Sequence, residues 1–270
     1  MDMDRPVITL LTDFGLKDGY VAAMKGVILS IHPDVRLVDV SHLIPPQDIR
    51  PGAFVLSTVY RDFPKGTIHL AVVDPGVGTS RRAIALKSRD YTFIGPDNGL
   101  FSWIVQKETD CEARSLENGR YRRPVVSPTF HGRDIFAPAA AHLASGMPFE
   151  AVGPLCEPVI AHWISAERRG SEIHGEVIHI DHFGNCIANI TEEQLIELSS
   201  SREVEVLIGG QVISTVRRTY GESAPGDILA LIGSSGHLEI AVNQANAANL
   251  LDLTSGSPVV VSKGLNCPGL

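Results

Sequence analysis

Residues 6–41 read PVITLLTDFGLKDGYVAAMKGVILSIHPDVRLVDVS, and this stretch decides the fold of the first half of the chain. PVITLLTDF is a continuous apolar run of strand length, the pattern of a strand covered on both faces. YVAAMKGVILSI carries its apolar residues at helical spacing and stops before Pro33, and VRLVDVS is a second strand-like run. Strand, helix, strand in this order is the βαβ unit of a parallel sheet.

The same grammar continues outward. IRPGAFVLSTVYRDF (49–63) predicts a helix that tolerates Pro51 in its first turn, and TIHLAVV, AIALKS and YTFIG predict strands. DIFAPAAAHLASG (134–146) predicts one closing helix that ends at Gly146. After ISAERRGSE (164–172) the texture changes. IHGEVIHID, CIANI, EVEVLIGG, VISTVRR, DILALIG, HLEIAVN and SPVVVS are short, often alternating runs separated by Gly, Ser, Asn and Pro turns, with helical signal confined to TEEQLIEL (191–198). The predicted fold class is therefore α/β: an N-terminal α/β domain over 1–165 with a largely parallel central sheet, then a smaller antiparallel β-barrel-like domain over 170–270, which ends in a ragged tail, GLNCPGL.

Composition narrows the function classes. The chain has 270 residues, 44% apolar and 20% charged, with a net charge of −8. The acids are dispersed and no Lys/Arg run forms a stripe that neutralises phosphates, so neither nucleic acid nor an anionic membrane is an expected partner. Cys111, Cys156, Cys186 and Cys267 stand far apart without a C-x-x-C pair, which argues against a disulfide scaffold and against a zinc knuckle. With no apolar leader and no run of about 18 apolar residues, the expected location is the cytoplasm.

Ligands of open α/β sheets bind beyond the carboxyl ends of the strands, so polar residues there are site candidates. Asp13 ends the first strand and Asp18 follows before the helix; the alternatives are an Asx-turn for Asp13 and a helix cap for Asp18. A carboxylate such as Asp13 accepts two hydrogen bonds from a vicinal diol, as in ribose recognition. Asp74 ends the HLAVV run, with Arg81 or Arg82 as its ion-pair partner, and His131 stands where a helix is about to start. DPGVGT lacks the G-x-G-x-x-G spacing and runs into a strand, which speaks against a dinucleotide loop. In the second half, Asp181, Phe183 and Asn185 interrupt the strands of IDHFGNCIANI, and Ser234 and Ser235 sit at a hairpin turn. Phe183 is the odd member, an aromatic in a polar turn.

TDFGLKDGYVAAMKG, DVSHLIPPQDI, VVDPGVGTSRRAIA, GPDNGLF, PTFHGRDIFAPAAAHLA, IDHFGNCIANI and GSSGHLEIAVN together resemble the S-adenosyl-L-methionine hydrolase (adenosine-forming) family, the hydroxide adenosyltransferases related to the fluorinase and chlorinase. The resemblance spans nearly the whole chain with its motifs in order. It implies a homotrimer whose active site lies between the first domain of one subunit and the second of its neighbour. It also implies a reaction of S-adenosyl-L-methionine with water at the ribose 5′ carbon, giving adenosine and methionine, with no cofactor and no metal.

By the same resemblance Asp74, Arg81 and His131 are the water-activating triad, and Asp13 accepts the ribose hydroxyls. Asp18, Tyr20 and Phe130 fall at substrate-binding positions, the first two beside the methionine carboxylate and amine. Asp181 is the partner of the methionine ammonium, Ser234 contacts its carboxylate, and Phe183 and Asn185 form the adenine pocket. Two positions depart from the halogenating relatives. Ser235 stands where the fluorinases have an arginine, and Gln47 where they have an aromatic near the ribose. The resemblance also places Asp74 where the halogenases have an uncharged aromatic.

Chemistry agrees with the implied reaction. A sulfonium makes methionine a neutral leaving group, so the site needs a nucleophile rather than an acid. Water is a poor one, with a pKa of about 15.7, and a guanidinium and an imidazole stabilise hydroxide while Asp74 orients Arg81 or accepts a proton. The competing readings are a halogenase of the same superfamily, a non-catalytic S-adenosylmethionine or nucleoside sensor, and a metallohydrolase built on Asp13, Asp74 and His131.

Overall fold

Val7–Thr12 (β1) is buried at all six positions, as its unbroken apolar sequence requires. It lies between Arg36–Ser41 (β2) and Ile68–Val72 (β3), parallel to both. The structure, a computed structural model, describes residues 5–199 and 204–264. The tail from residue 265, with Cys267, lies outside the described residues. The chain divides into two units, Met1–Ala161 and His162–Leu270.

In the first unit the sheet is completed by Ala83–Lys87 (β4), Thr92–Pro96 (β5) and Glu112–Ser115 (β6), in the order β2-β1-β3-β5-β4-β6. β5 is parallel to β3. β4 runs antiparallel to both of its neighbours, because a tight turn, closed by Ser88 N–H to Tyr91 C=O at 2.9 Å, joins it to β5. Tyr20–Ile31 (α1) packs on one face of the sheet. Its Met24 and Ile28 are wholly buried against Ile8, Leu10 and Leu70 and against alanines 137, 140 and 141. Ile49–Val59 (α2) and the short Ser102–Lys107 (α3) pack together through Phe54 and Trp103. Neither α3 nor β6 is legible in the sequence; both are too short to show a period.

The single helix expected over 134–146 is two segments. Gly132–Phe136 forms a π-turn, with Ala137 N–H reaching back five residues to Gly132 C=O, and Ala137–Ala144 (α4) continues as an α-helix. Pro138 is the reason: it has no N–H for the Asp134 carbonyl one turn back, and that carbonyl accepts from Arg123 N–H instead, at 2.9 Å.

The second unit is a barrel-like sheet of Glu167–Arg169 (β7), Glu172–Ile180 (β8), Cys186–Thr191 (β9), Val204–Ile208 (β10), Gln211–Ile213 (β11), Val216–Arg217 (β12), Ile228–Ile232 (β13), His237–Val242 (β14) and Pro258–Lys263 (β15). Glu192–Leu198 (α5) starts with a capping box between Thr191 and Gln194. Two expectations are corrected here. VISTVRR is not one strand: it breaks at Ser214–Thr215, so that β11 closes a hairpin with β10 while β12 pairs with β13, and in parallel. Helix is not confined to TEEQLIEL either, since Ala247–Leu251 (α6) forms under an Asn246 cap. No helix among the described residues is long and apolar enough to cross a membrane.

Candidate active site

β1, β3 and β5 are parallel neighbours, so the residues that follow them, Asp13, Asp74 and Asp97, leave one edge of the sheet. The loop 73–82 departs from that edge after β3. Because β4 is antiparallel, the loop re-enters the sheet at the same edge, and that returns Arg81 to Asp74. Gly78 lies in this loop at φ +76°, where a Cβ would sit 2.3 Å from the Pro128 carbonyl. Only glycine lets the loop close against the segment that carries His131.

The three residues expected to act together do meet. Arg81 forks onto Asp74, with Nε donating to Oδ1 at 2.8 Å and Nη2 donating to Oδ2. The Arg81 and Asp74 side chains are only 10% and 5% exposed. Nη2 also lies 2.9 Å from His131 Nδ1, and the guanidinium stands 5.2 Å from the Phe136 ring centroid. A guanidinium has donors only, so Nδ1 accepts and the imidazole carries its proton on Nε2. Burial, and then the Arg81 charge, lower the His131 pKa and hold the ring neutral. Arg82 is not the partner of Asp74. Its Nε donates to Asp97 Oδ2 at 2.8 Å and its Nη2 to Glu157 C=O at 2.6 Å, tying down the 157–159 segment.

Asp13 makes no Asx-turn: the N–H that would close it, on Gly15, donates to the His42 carbonyl at 2.8 Å, and Asp13 Oδ2 accepts from Gln47 N–H at 2.8 Å. Gln47 holds that N–H in place from a left-handed backbone, φ +67°, an unusual conformation for a residue with a side chain. Burial raises the Asp13 pKa, the Gln47 N–H opposes this, and the nearby Asp74 charge adds to it. Thr12 in turn bonds to the buried His42 at 2.8 Å. Tyr20 and Phe130 come together edge to face at 5.3 Å, with Phe14 as the third ring. Asp18 stays exposed in the turn before α1. It does not cap the helix, whose N-cap is Gly19 without a side-chain bond.

In the second unit a cavity of about 930 Å³ is lined by Asp181, Phe183, Asn185 and Ser234, together with Tyr220 and Glu239. Asp181 builds the turn it stands in: Oδ1 accepts from the Phe183 and Asn185 N–H groups and Oδ2 from the Asn185 side chain, each at 2.9 Å. Phe183 is 74% exposed. Ser235 is not among the lining residues; its carbonyl accepts from His237 Nδ1 at 2.9 Å. Tyr220 and Glu239 were missed in the sequence, although a Glu between Leu238 and Ile240 in an apolar strand was a signal. Among the described residues no three His, Cys, Asp or Glu side chains gather as a metal ion requires, and Cys111, Cys156 and Cys186 are free thiols.

Comparison with known proteins bears on both units. Residues 8–153 match the model of the SAM hydroxide adenosyltransferase N-terminal domain and residues 175–260 that of its C-terminal domain. An (R)-S-adenosyl-L-methionine hydrolase of Thermus thermophilus is 44% identical over 94% of this chain and 98% of its own, and one of Salinispora tropica is 42% identical over 96% and 98%. A fluorinase of an Actinoplanes species is more distant, at 30% over 96% of this chain and 98% of its own. Among solved structures, an uncharacterized conserved protein of Thermotoga maritima covers 95% of this chain and 100% of its own, with a TM-score of 0.86 and 37% identity.

Proposed function

Because this chain belongs to the SAM hydroxide adenosyltransferase family, we propose that it hydrolyses S-adenosyl-L-methionine to adenosine and L-methionine by attack of activated water on the ribose 5′ carbon, without a metal. The observation that carries this reading is the contact of Arg81 with both Asp74 and His131.

The oxygen of water forms the new bond to C5′ as the bond from C5′ to sulfur breaks. The electron pair of that bond stays on sulfur, so the positive sulfonium becomes a neutral thioether and needs no acid. The spare proton of water is the remaining problem. His131 Nδ1 is occupied by Arg81 and Nε2 already holds a proton, so His131 serves as a donor to the developing hydroxide. Asp74 is the anionic member of the group. Each of its oxygens keeps a lone pair beyond the Arg81 fork, and the proton goes there. Asp13 holds the ribose hydroxyls. Asp18, Tyr20 and Phe130 on the first unit, and Asp181, Phe183, Asn185 and Ser234 on the second, bind the remainder of the substrate, with Ser235 beside Ser234 in the same turn. The site is completed across subunits of a homotrimer.

An ionised Asp74 also favours water over a halide. A halide brought beside a poorly screened carboxylate is repelled by several kcal/mol. The experiment is turnover in oxygen-18 water with saturating chloride or fluoride and a chelator, followed by mass spectrometry of the nucleoside. The label is expected in the adenosine 5′ hydroxyl at undiminished rate. A 5′-halo product, unlabelled adenosine, or activity that returns only with added metal would each overturn the corresponding part of the reading.

A further inference from the structure

Glu239 is an ionisable residue inside an apolar strand, 7% exposed, in the wall of the second-unit cavity. Tyr220 donates its hydroxyl to Oε1. Oε2 points at Gly233, where an added Cβ would stand 2.6 Å away, so the glycine makes the room for this oxygen. Burial lifts the Glu239 pKa and the neighbouring Asp181 charge adds to the rise, while the Tyr220 bond opposes it. Two carboxylates thus share one cavity. The cation in its wall, Arg218, is exposed, and its backbone N–H donates to Glu222 Oε2 at 3.1 Å.

A buried carboxylate oxygen needs a hydrogen-bond donor, and a buried negative charge needs a positive one. Asp181 already accepts three hydrogen bonds within its own turn. On the proposed function, the substrate offers two cationic groups, a sulfonium and an α-ammonium. The sulfonium has no N–H or O–H to donate and the ammonium has three. We propose that Glu239 Oε2 is a principal acceptor of the substrate α-ammonium, with Tyr220 holding the carboxylate in position and Asp181 serving mainly to shape the turn. Glu239 is then a specificity-determining residue for the amino-acid end of the substrate, and it rests on the reading of this chain as a SAM hydrolase.

The test compares wild type with Glu239→Gln, which keeps the shape and still accepts from Tyr220. Two substrates share the adenosyl sulfonium centre: S-adenosyl-L-methionine and 5′-deoxy-5′-(dimethylsulfonio)adenosine, which lacks the ammonium. Calorimetric binding is measured beside turnover. Loss of one charge-assisted hydrogen bond predicts that Glu239→Gln binds the first about 10- to 100-fold more weakly and the second within about 2-fold of wild type. Tyr220→Phe, a change on a surface loop, is expected to weaken the first substrate in the same direction and by less. Unchanged binding of S-adenosyl-L-methionine, or equal loss for both compounds, overturns the proposal. Binding without turnover in the wild type overturns the hydrolase reading instead and leaves the ammonium contact measurable.

Discussion

Arg81 Nη2 meets His131 Nδ1 at 2.9 Å, across 50 residues of chain, and the same nitrogen also donates to Asp74. One guanidinium therefore ties a carboxylate to an imidazole, and its charge adds to the burial that lowers the His131 pKa.

Replacing Asp74, Arg81 or His131 by Ala should each lower kcat by about 10²- to 10⁴-fold, the range for loss of general acid–base help. KM should change much less. The group acts as a unit, so the triple variant should be little worse than the worst single one. Initial rates over a range of substrate concentrations decide this; a His131→Ala enzyme with normal kcat and lost binding would contradict the donor role.

Asp13→Asn should cost about 10- to 100-fold in kcat/KM through weaker hydrogen bonds to the ribose diol. With an S-adenosyl-L-methionine analogue that lacks both ribose hydroxyls, the two enzymes should differ by less than about 3-fold, since the partners of Asp13 are gone. Gln47→Ala should leave kcat/KM nearly intact because the backbone N–H, and not the side chain, holds Asp13. A large loss in Gln47→Ala would show that the side chain itself touches substrate.

If sites are shared between subunits, two inactive variants should complement one another. Asp13→Ala and Glu239→Ala damage different units of the chain, and exchange of subunits between them should restore turnover by forming sites from two undamaged halves. Light scattering should report three protomers. No recovery of turnover in a mixture shown to have exchanged subunits would sink the shared site.

His69 gives a stability test that is independent of function. It is wholly buried, stacked on Phe93 and bonded to Thr9, and burial depresses its pKa to about 3. A depressed histidine pKa means that the unfolded chain binds the proton first. Stability is then fully present above the unfolded value of about 6.5 and is lost as pH falls toward 3. Between pH 7 and pH 5 this group alone should remove about 2 kcal/mol, read by denaturant unfolding. The Thr9→Val, His69→Leu double variant should show a correspondingly smaller loss over that interval. Equal pH dependence in the two proteins would assign the acid sensitivity elsewhere.

The βαβ unit was legible in residues 6–41 because a strand buried on both faces and an amphipathic helix leave different apolar periods. The short elements were not: α3, β6 and α6 have six or fewer residues, and packing rather than pattern forms them. Asp13 and Asp74 were legible because each ends an apolar strand at the carboxyl edge. The choice of Arg81 over Arg82 was not, since it depends on β4 returning antiparallel to that edge. Glu239 was overlooked for a related reason: in a one-dimensional pattern a buried acid looks like an outward-facing one, and this one lies on the face of β14 opposite the core residues Leu238 and Ile240, where Tyr220 meets it.

The π-turn at Gly132–Phe136 directly follows His131. Each residue of an α-helix adds about 100° of rotation, so regularising this turn, or deleting one residue from it, would swing the imidazole about a quarter of a circle around the helix axis and away from Arg81. Pro138 and the Arg123 N–H guard against that swing, by denying the Asp134 carbonyl its helical partner and supplying another. The phase of one helix is thus pinned by a ring with no catalytic chemistry. Over descent, this segment should tolerate exchanges of side chain far more readily than any change in its length.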